Sequence, residues 1–298
     1  METSRKRPAR GFLRMNAVEG LLRWARWAHR RLRPIRPCVL NRGALDDGAA
    51  SLGALAAAAG LRRLSLEVKA LALTPDGGFD YRRAGGSEPY RRMCAAARVV
   101  RAVDPSRLLD SQRIVFWVNV YNTLVIQASI EFDLRRRLDE LGGLDEFFAR
   151  AAYEIDGQTF SLDDIEHGIL RANHGHGRSR GSQFSAGDPR AACCLAEIDP
   201  RLHFVLHCGA ASCPSFGVLE VAGLEQQLDD ATLGFLDGPD GFAVDPGGGR
   251  VVLPAFMQWN AGDFGGEAGL LPFVGRYVDL PRAEGWRIGY RDYDWRLG

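Results

Sequence analysis

The residues best suited to chemistry lie between Arg201 and Pro214, in the run RLHFVLHCGAASCP. It holds His203, His207, Cys208 and Cys213. Leu202, Phe204 and Leu206 alternate with His203, Val205 and His207, and this period of two predicts a half-buried strand that Gly209 ends. A thiol at the end of a core strand, beside a glycine loop carrying a second thiol, suits nucleophilic catalysis. That chemistry needs a thiolate, an imidazole to take and return its proton, and a third group to orient the imidazole. The same residues also read as two core cysteines or a redox-sensitive pair in a non-enzymatic binding or scaffold module. As a structural zinc site they are less suitable, because alternate strand positions face opposite ways and cannot converge on one tetrahedral ion.

Other elements must bring partners to this run. SQRIVFWVNVYNTLVIQASI, residues 111–130, is apolar almost all round and predicts a helix buried on every side. Asn119 and Asn122 sit three apart on one face of it, and Tyr121 faces the other way. Buried carboxamides must find hydrogen-bond partners, so these two either fix a neighbouring loop or orient a catalytic imidazole. Ser161 and Asp164 form a capping box that opens a helix over LDDIEHGILR. Asp163, His167 and Arg171 recur every four residues along it, as an exposed salt-bridge ladder or as a face turned into a cleft. Further helices are predicted over 52–72, 90–100 and 224–235. A hairpin turning at Asp156-Gly157 spans 153–160, and a second spans 242–253. Residues 173–189 lack periodicity and read as a long loop, in which His174 and His176 have no further ligand nearby.

Bulk properties narrow the class. A charged fraction of 25% and a hydrophobic fraction of 46% are those of a globular protein with an ample core. A net charge of +1 argues against a dedicated nucleic-acid binder. The charge is uneven, with eleven Arg or Lys against two Glu in residues 1–37. There Val18, Leu21, Leu22, Ala25, Ala28 and Leu32 keep helical spacing between arginines, with Trp24 and Trp27 alongside. Such a basic amphipathic helix, residues 15–33, either packs on the domain or lies on an anionic membrane surface. No apolar run is long enough to span a bilayer and no secretory signal is legible, so a cytoplasmic location with reduced thiols is expected.

Five blocks occur in a characteristic order: FWVNVYN at 116–122, FSLDDIEHGILR at 160–171, DPRLHFVLHCGAASCP at 199–214, QWNAGDFG at 258–265 and the final YDWRLG. They resemble the domain of unknown function 547 family over residues 79–298. That resemblance implies no particular reaction. Carried over residue by residue, it coincides with Asn119, Asn122, His167, Arg171, His203, Cys208 and Cys213. The expected protein is one α+β domain over residues 38–298, with helices packed on a small, mainly antiparallel sheet and the basic extension 1–37 in front. The expected activity is that of a thiol hydrolase or acyltransferase on a small-molecule or peptide substrate, without a cofactor. In it Cys208 or Cys213 is the nucleophile, His203 or His167 the base, and Asn119 or Asn122 the orienting group or oxyanion donor.

Overall fold

A computed structural model describes residues 35–45, 53–75, 78–175, 181–245, 247, 249–280 and 286–298. The chain divides into the units Met1–Arg36 and Pro37–Gly298, and every strand and helix among the described residues lies in the second. The basic helix expected over 15–33 lies outside the described residues, as does His176.

In chain order the elements are β1 (Cys38–Val39), α1 (Ala54–Ala72), α2 (Tyr81–Gly85), α3 (Glu88–Val99), α4 (Asp110–Glu131), α5 (Leu144–Arg150), β2 (Ala151–Ile155) and β3 (Gln158–Ser161). A π-helix, Asp164–Leu170, comes next, then α6 (Leu224–Leu236), β4 (Ala243–Asp245), β5 (Arg250–Leu253), α7 (Ala255–Trp259), α8 (Glu267–Val274) and β6 (Arg287–Tyr290). The class is α+β. Two three-stranded sheets replace the single one expected, and each is mixed: β2 pairs parallel with β1 and antiparallel with β3, while β5 pairs antiparallel with β4 and parallel with β6. The two hairpins are where their turns predict. Asp156 and Gly157 both adopt positive φ, 48° and 69°, as a tight two-residue turn requires. The parallel partners come from segments too distant in sequence for any local pattern to reveal.

Helix α4 is the centre of the larger core. Every residue from Val115 to Ser129 is buried, which explains why its sequence shows no polar face. Among the described residues no helix is long and apolar enough to cross a membrane. A second core gathers Phe204, Phe256, Phe264 and Phe273. Leu202, Val205 and Leu206 pack in the first core while Phe204 packs in the second, so this short segment joins the two.

The segment is not a strand. Pro200–Phe204 is a 3-10 helix, opened by Asp199, whose carboxylate accepts from the Arg201 amide at 2.9 Å, with Pro200 in its first turn. The alternation predicted one buried face, but every side chain from Leu202 to His207 is buried, and the pattern said nothing of the backbone's partners, which here are side chains. Asn122 Nδ2 donates to the carbonyls of Val205 and Gly217 at 2.9 Å each, and its Oδ1 accepts from the His207 amide at 2.9 Å. Asn119 holds both backbone groups of Leu219, at 2.8 and 2.9 Å. A carboxamide presents the same donor and acceptor as a peptide unit, so each stands in for a strand neighbour. Asn41 does the same for Glu154, and Asn173 for Phe184. That last pairing ties the described ends of the expected loop 173–189 to each other.

Candidate functional site

The LDDIEHGILR segment is wound as a π-helix rather than the α-helix expected. Its capping box is present, with Asp164 N donating to Ser161 Oγ at 3.1 Å and Ser161 N donating to Asp164 Oδ2 at 3.0 Å. Beyond it the backbone bonds to the fifth residue back, as from Arg171 N to Glu166 O at 3.0 Å. The wider turn brings positions four apart nearly into line, and π-turns concentrate at functional sites. Gly168 permits this packing, since a Cβ there would lie 2.4 Å from the Phe184 ring.

The aligned face is buried, so it is not an exposed ladder. Arg171 is 4% and His167 7% exposed. The guanidinium grips Asp263, with Nη2 donating to Oδ1 at 2.9 Å and Nε donating to Oδ2. Nη1 also donates to Gly175 O at 2.8 Å and meets His167 Nδ1 at 2.9 Å. Arginine cannot accept, so Nδ1 is the bare nitrogen of His167 and Nε2 carries the proton. Nε2 faces Asp163 at 3.8 Å. His203 Nε2 donates to Asp263 Oδ2 at 2.8 Å, while its ring stacks on Phe264. Burial alone would raise the Asp263 pKa, but hydrogen bonds from His203 and Arg171 outweigh it and hold the carboxyl well below its usual range. The Nδ1 of His203 is left without a protein partner among the described residues. Next to this network Tyr121 donates to Glu166 Oε2 at 2.9 Å. Glu166 is held ionised in the same manner, burial being outweighed by His167, His203, Tyr121 and Arg171.

The thiols form a second group. Gly209, at φ 91°, turns the chain in the left-handed region that suits glycine, and the loop then runs along the final residues. Ala211 N donates to Arg296 O at 2.8 Å, Gly298 N to Gly209 O at 3.1 Å, and Asp294 N to Ser212 Oγ at 2.9 Å. This pairing brings Tyr293 Oη to 3.2 Å from Cys208 Sγ. The Cys208 amide donates to Cys213 Sγ at 2.9 Å. Burial would raise the Cys208 pKa, but hydrogen bonding to Cys213, to Tyr293 and to the Ala210 backbone prevails and lowers it. Burial and the neighbouring Cys208 push Cys213 well up. Burial also raises Cys94, Cys193 and Cys194, Cys193 to about 11.

The seven predicted site residues thus fall into three settings. His167, Arg171 and His203 meet around Asp263. Cys208 and Cys213 meet beside Tyr293. Asn119 and Asn122 are engaged with backbone, and neither reaches an imidazole. Among the described residues neither thiol hydrogen-bonds to an imidazole. The groups are nonetheless neighbours electrostatically, since Glu166 feels His167 and His203 and acts in turn on Cys208. The zinc arrangement does not assemble. His203 is bound to Asp263, and His207 points to Pro214 O at 2.8 Å. No cluster of three metal-ligating side chains occurs among the described residues. An open depression of about 630 Å³, lined by Asp199, Arg201, Asp229 and Arg276 among others, contains none of the site residues.

His207 yields a prediction about stability. Its burial, opposed only by the hydrogen bond to Pro214, lowers its pKa to about 4 from 6.5. The unfolded chain therefore binds a proton that the folded one refuses, and stability rises with pH. The contribution is complete above pH ~6.5 and is lost as the pH falls toward about 4, a change of about 3 kcal/mol in all. Urea unfolding of His207→Gln between these limits should show a visibly flatter pH dependence than the parent; an equal slope refutes the assignment.

Asp263, Glu166 and Tyr293 were missed as site residues. Asp263 and Tyr293 stand within the QWNAGDFG and final YDWRLG blocks or beside them, but nothing in their spacing connects them to a cysteine or histidine about 60 to 90 residues away. None of the curated proteins and none of the solved structures compared with the chain matches it. Residues 105–236 match the family model described as "Protein of unknown function, DUF547", an interval narrower than 79–298 that holds all seven predicted site residues and Glu166 but neither Asp263 nor Tyr293. The chain therefore contains a DUF547 family domain.

Proposed function

We propose that the protein is a thiol-dependent hydrolase or acyltransferase with Cys208 as its nucleophile. The observation that supports this most is the phenol beside one half-buried sulfur, Tyr293 Oη at 3.2 Å, with Cys213 and the Ala210 backbone also holding the pKa of that thiol down. Such donors favour the thiolate, which is the attacking species. Cys213 supports it rather than acting as a second nucleophile, its own thiol directed at Leu206 O. His203, whose Nε2 is fixed on the Asp263 carboxylate, is the base that takes the proton Cys208 gives up and passes it on during the reaction.

The thiolate attacks an acyl carbon, and collapse of the adduct forms a thioester on Cys208. The leaving group departs with the proton from His203. The neutral imidazole then takes a proton from water or another acceptor, which attacks the thioester and releases the thiolate. The substrate and the acceptor span the gap between sulfur and imidazole, which share no direct hydrogen bond.

The first test is the pH dependence of alkylation of the native, reduced protein, resolved cysteine by cysteine by mass spectrometry. Cys208 should react quickly at about pH 6, and Cys94, Cys193, Cys194 and Cys213 slowly. Removing the phenol in Tyr293→Phe deletes a hydrogen bond to a charged group, about 1.5–3 kcal/mol, and should slow Cys208 alkylation at about pH 6 by about tenfold. If Cys208 stays inert until the protein is denatured, the thiol reading fails and a binding or scaffold role replaces it.

A further inference from the structure

Acyl transfer by Cys208 and His203 leaves Cys213 with little to do, although it is the sulfur nearest the nucleophile. Its Sγ lies 2.9 Å from the backbone nitrogen of Cys208 and 3.5 Å from Leu206 O. A sulfur that near the backbone nitrogen of Cys208 lies beside the Cys208 side chain, and each thiol shifts the ionisation of the other. All six cysteines are free, and the other four lie in different surroundings. Four residues, Gly209 to Ser212, separate the pair, and the glycine among them leaves the loop the freedom a small ring needs.

We propose that Cys208 and Cys213 are a redox modification site, converted reversibly to a disulfide by low-molecular-weight disulfides such as oxidised glutathione. The Cys208 thiolate attacks one sulfur of the oxidant. A mixed disulfide forms on Cys208, the oxidant's S–S bond breaks, and one glutathione thiolate leaves. The Cys213 thiol then gives up its proton, which the departing glutathione takes, and its sulfur attacks Cys208 Sγ. The bond between Cys208 and glutathione breaks and a second glutathione is released. Two protein thiols are oxidised and one glutathione disulfide is reduced to two thiols, so electrons and protons balance.

The pair is ordered for these two steps. In the resting protein the charge on Cys208 opposes ionisation of Cys213, so only one of them attacks. Once Cys208 is in a mixed disulfide that charge is gone, and Cys213 ionises more readily at the moment its attack is required. Oxidation removes the nucleophile, so the site would be silenced under oxidising conditions and restored by reductant. This goes beyond hydrolysis or acyl transfer and shares with that reading only the reactivity of Cys208.

The test uses the full-length reduced protein and oxidised glutathione, followed by alkylation and trypsin. Both cysteines fall in one peptide, Leu202–Arg250, which contains no other cysteine. The expected product is that peptide, unalkylated, lighter by two hydrogens and restored by dithiothreitol. Cys213→Ser should stop at one stable glutathione on Cys208, and Cys208→Ser should leave Cys213 almost unmodified. A wild-type peptide that keeps glutathione on Cys208, or in which both cysteines remain alkylatable, overturns the proposal. The proposed enzymatic role fails separately: rapid alkylation of Cys208 without disulfide formation sinks only the redox site, and disulfide formation without any acyl-transfer activity sinks only the enzyme.

Discussion

Asp263→Ala should destabilise the protein by about 3–5 kcal/mol, the cost of leaving a buried charge without its partner. Arg171 and Asp263 have side chains only 5% and 4% exposed, and the carboxylate also carries the imidazole of His203. Removing it strands a guanidinium that cannot lose its proton and leaves His203 without an acceptor. Urea unfolding near neutral pH measures the loss. Its pH dependence has a definite sign. The folded carboxyl titrates below the unfolded value, so its stabilisation is complete above pH ~4 and is lost as the pH falls through the depressed folded value. The gap between parent and variant should therefore be constant from neutrality down to about pH 5 and should close below about pH 4. Arg171→Met combined with Asp263→Leu should recover only part of the lost stability, because it removes the stranded charge but leaves His203, His167 and Gly175 O without their partners. If Asp263→Ala unfolds at the parent's urea concentration, the ion pair is not the buried one described. The same variant tests the catalytic role of the dyad. His203 would lose its orientation, and any acyl-transfer activity should fall while alkylation of Cys208 at neutral pH changes far less.

Asn122→Ala should cost about 4 kcal/mol, although it removes only a small side chain. Three backbone groups depend on it, the carbonyls of Val205 and Gly217 and the amide of His207. Each buried group left unsatisfied costs about 1–3 kcal/mol, and partial relaxation keeps the sum below the upper limit. Asn119→Ala orphans only the two groups of Leu219 and should cost about two-thirds as much. The comparison carries a second readout. The Asn122 bond to His207 sets the backbone one residue before Cys208. Its loss should loosen the approach of Cys208 to Tyr293 and slow alkylation of that thiol, whereas Asn119→Ala should leave the rate near that of the parent. Equal effects of both variants on Cys208 would show that the segment is positioned by packing alone.

Much of this protein is determined by its sequence alone. The apolar run at 111–130 could only be a buried helix, and Asp156-Gly157 supplies the positive φ of a hairpin turn. Ser161 and Asp164 mark a helix start, and Asn119 and Asn122 share a face because they are three apart. Each inference spans a few residues, where backbone sterics and side-chain period decide the result. The misread elements are those whose backbone partners are distant. Alternation at 202–207 suggests a single buried face, yet both sets of side chains are buried, and the pattern does not distinguish a strand from a segment held by the carboxamide of Asn122, 85 residues away. A spacing of four along 163–171 fits α- and π-windings alike. The candidate site belongs wholly to the second kind. Its histidines, arginine and thiols were legible by type, whereas Asp263 meets Arg171 across 92 residues and Tyr293 meets Cys208 across 85. Those encounters depend on how two cores join at Leu202–Leu206 and on where the final residues pair with the 209–212 loop. Charge and hydrogen bonding then divide the roles, setting Cys208 apart from Cys213, because a thiol's ionisation is governed by the groups folded around it rather than by its neighbours in the chain.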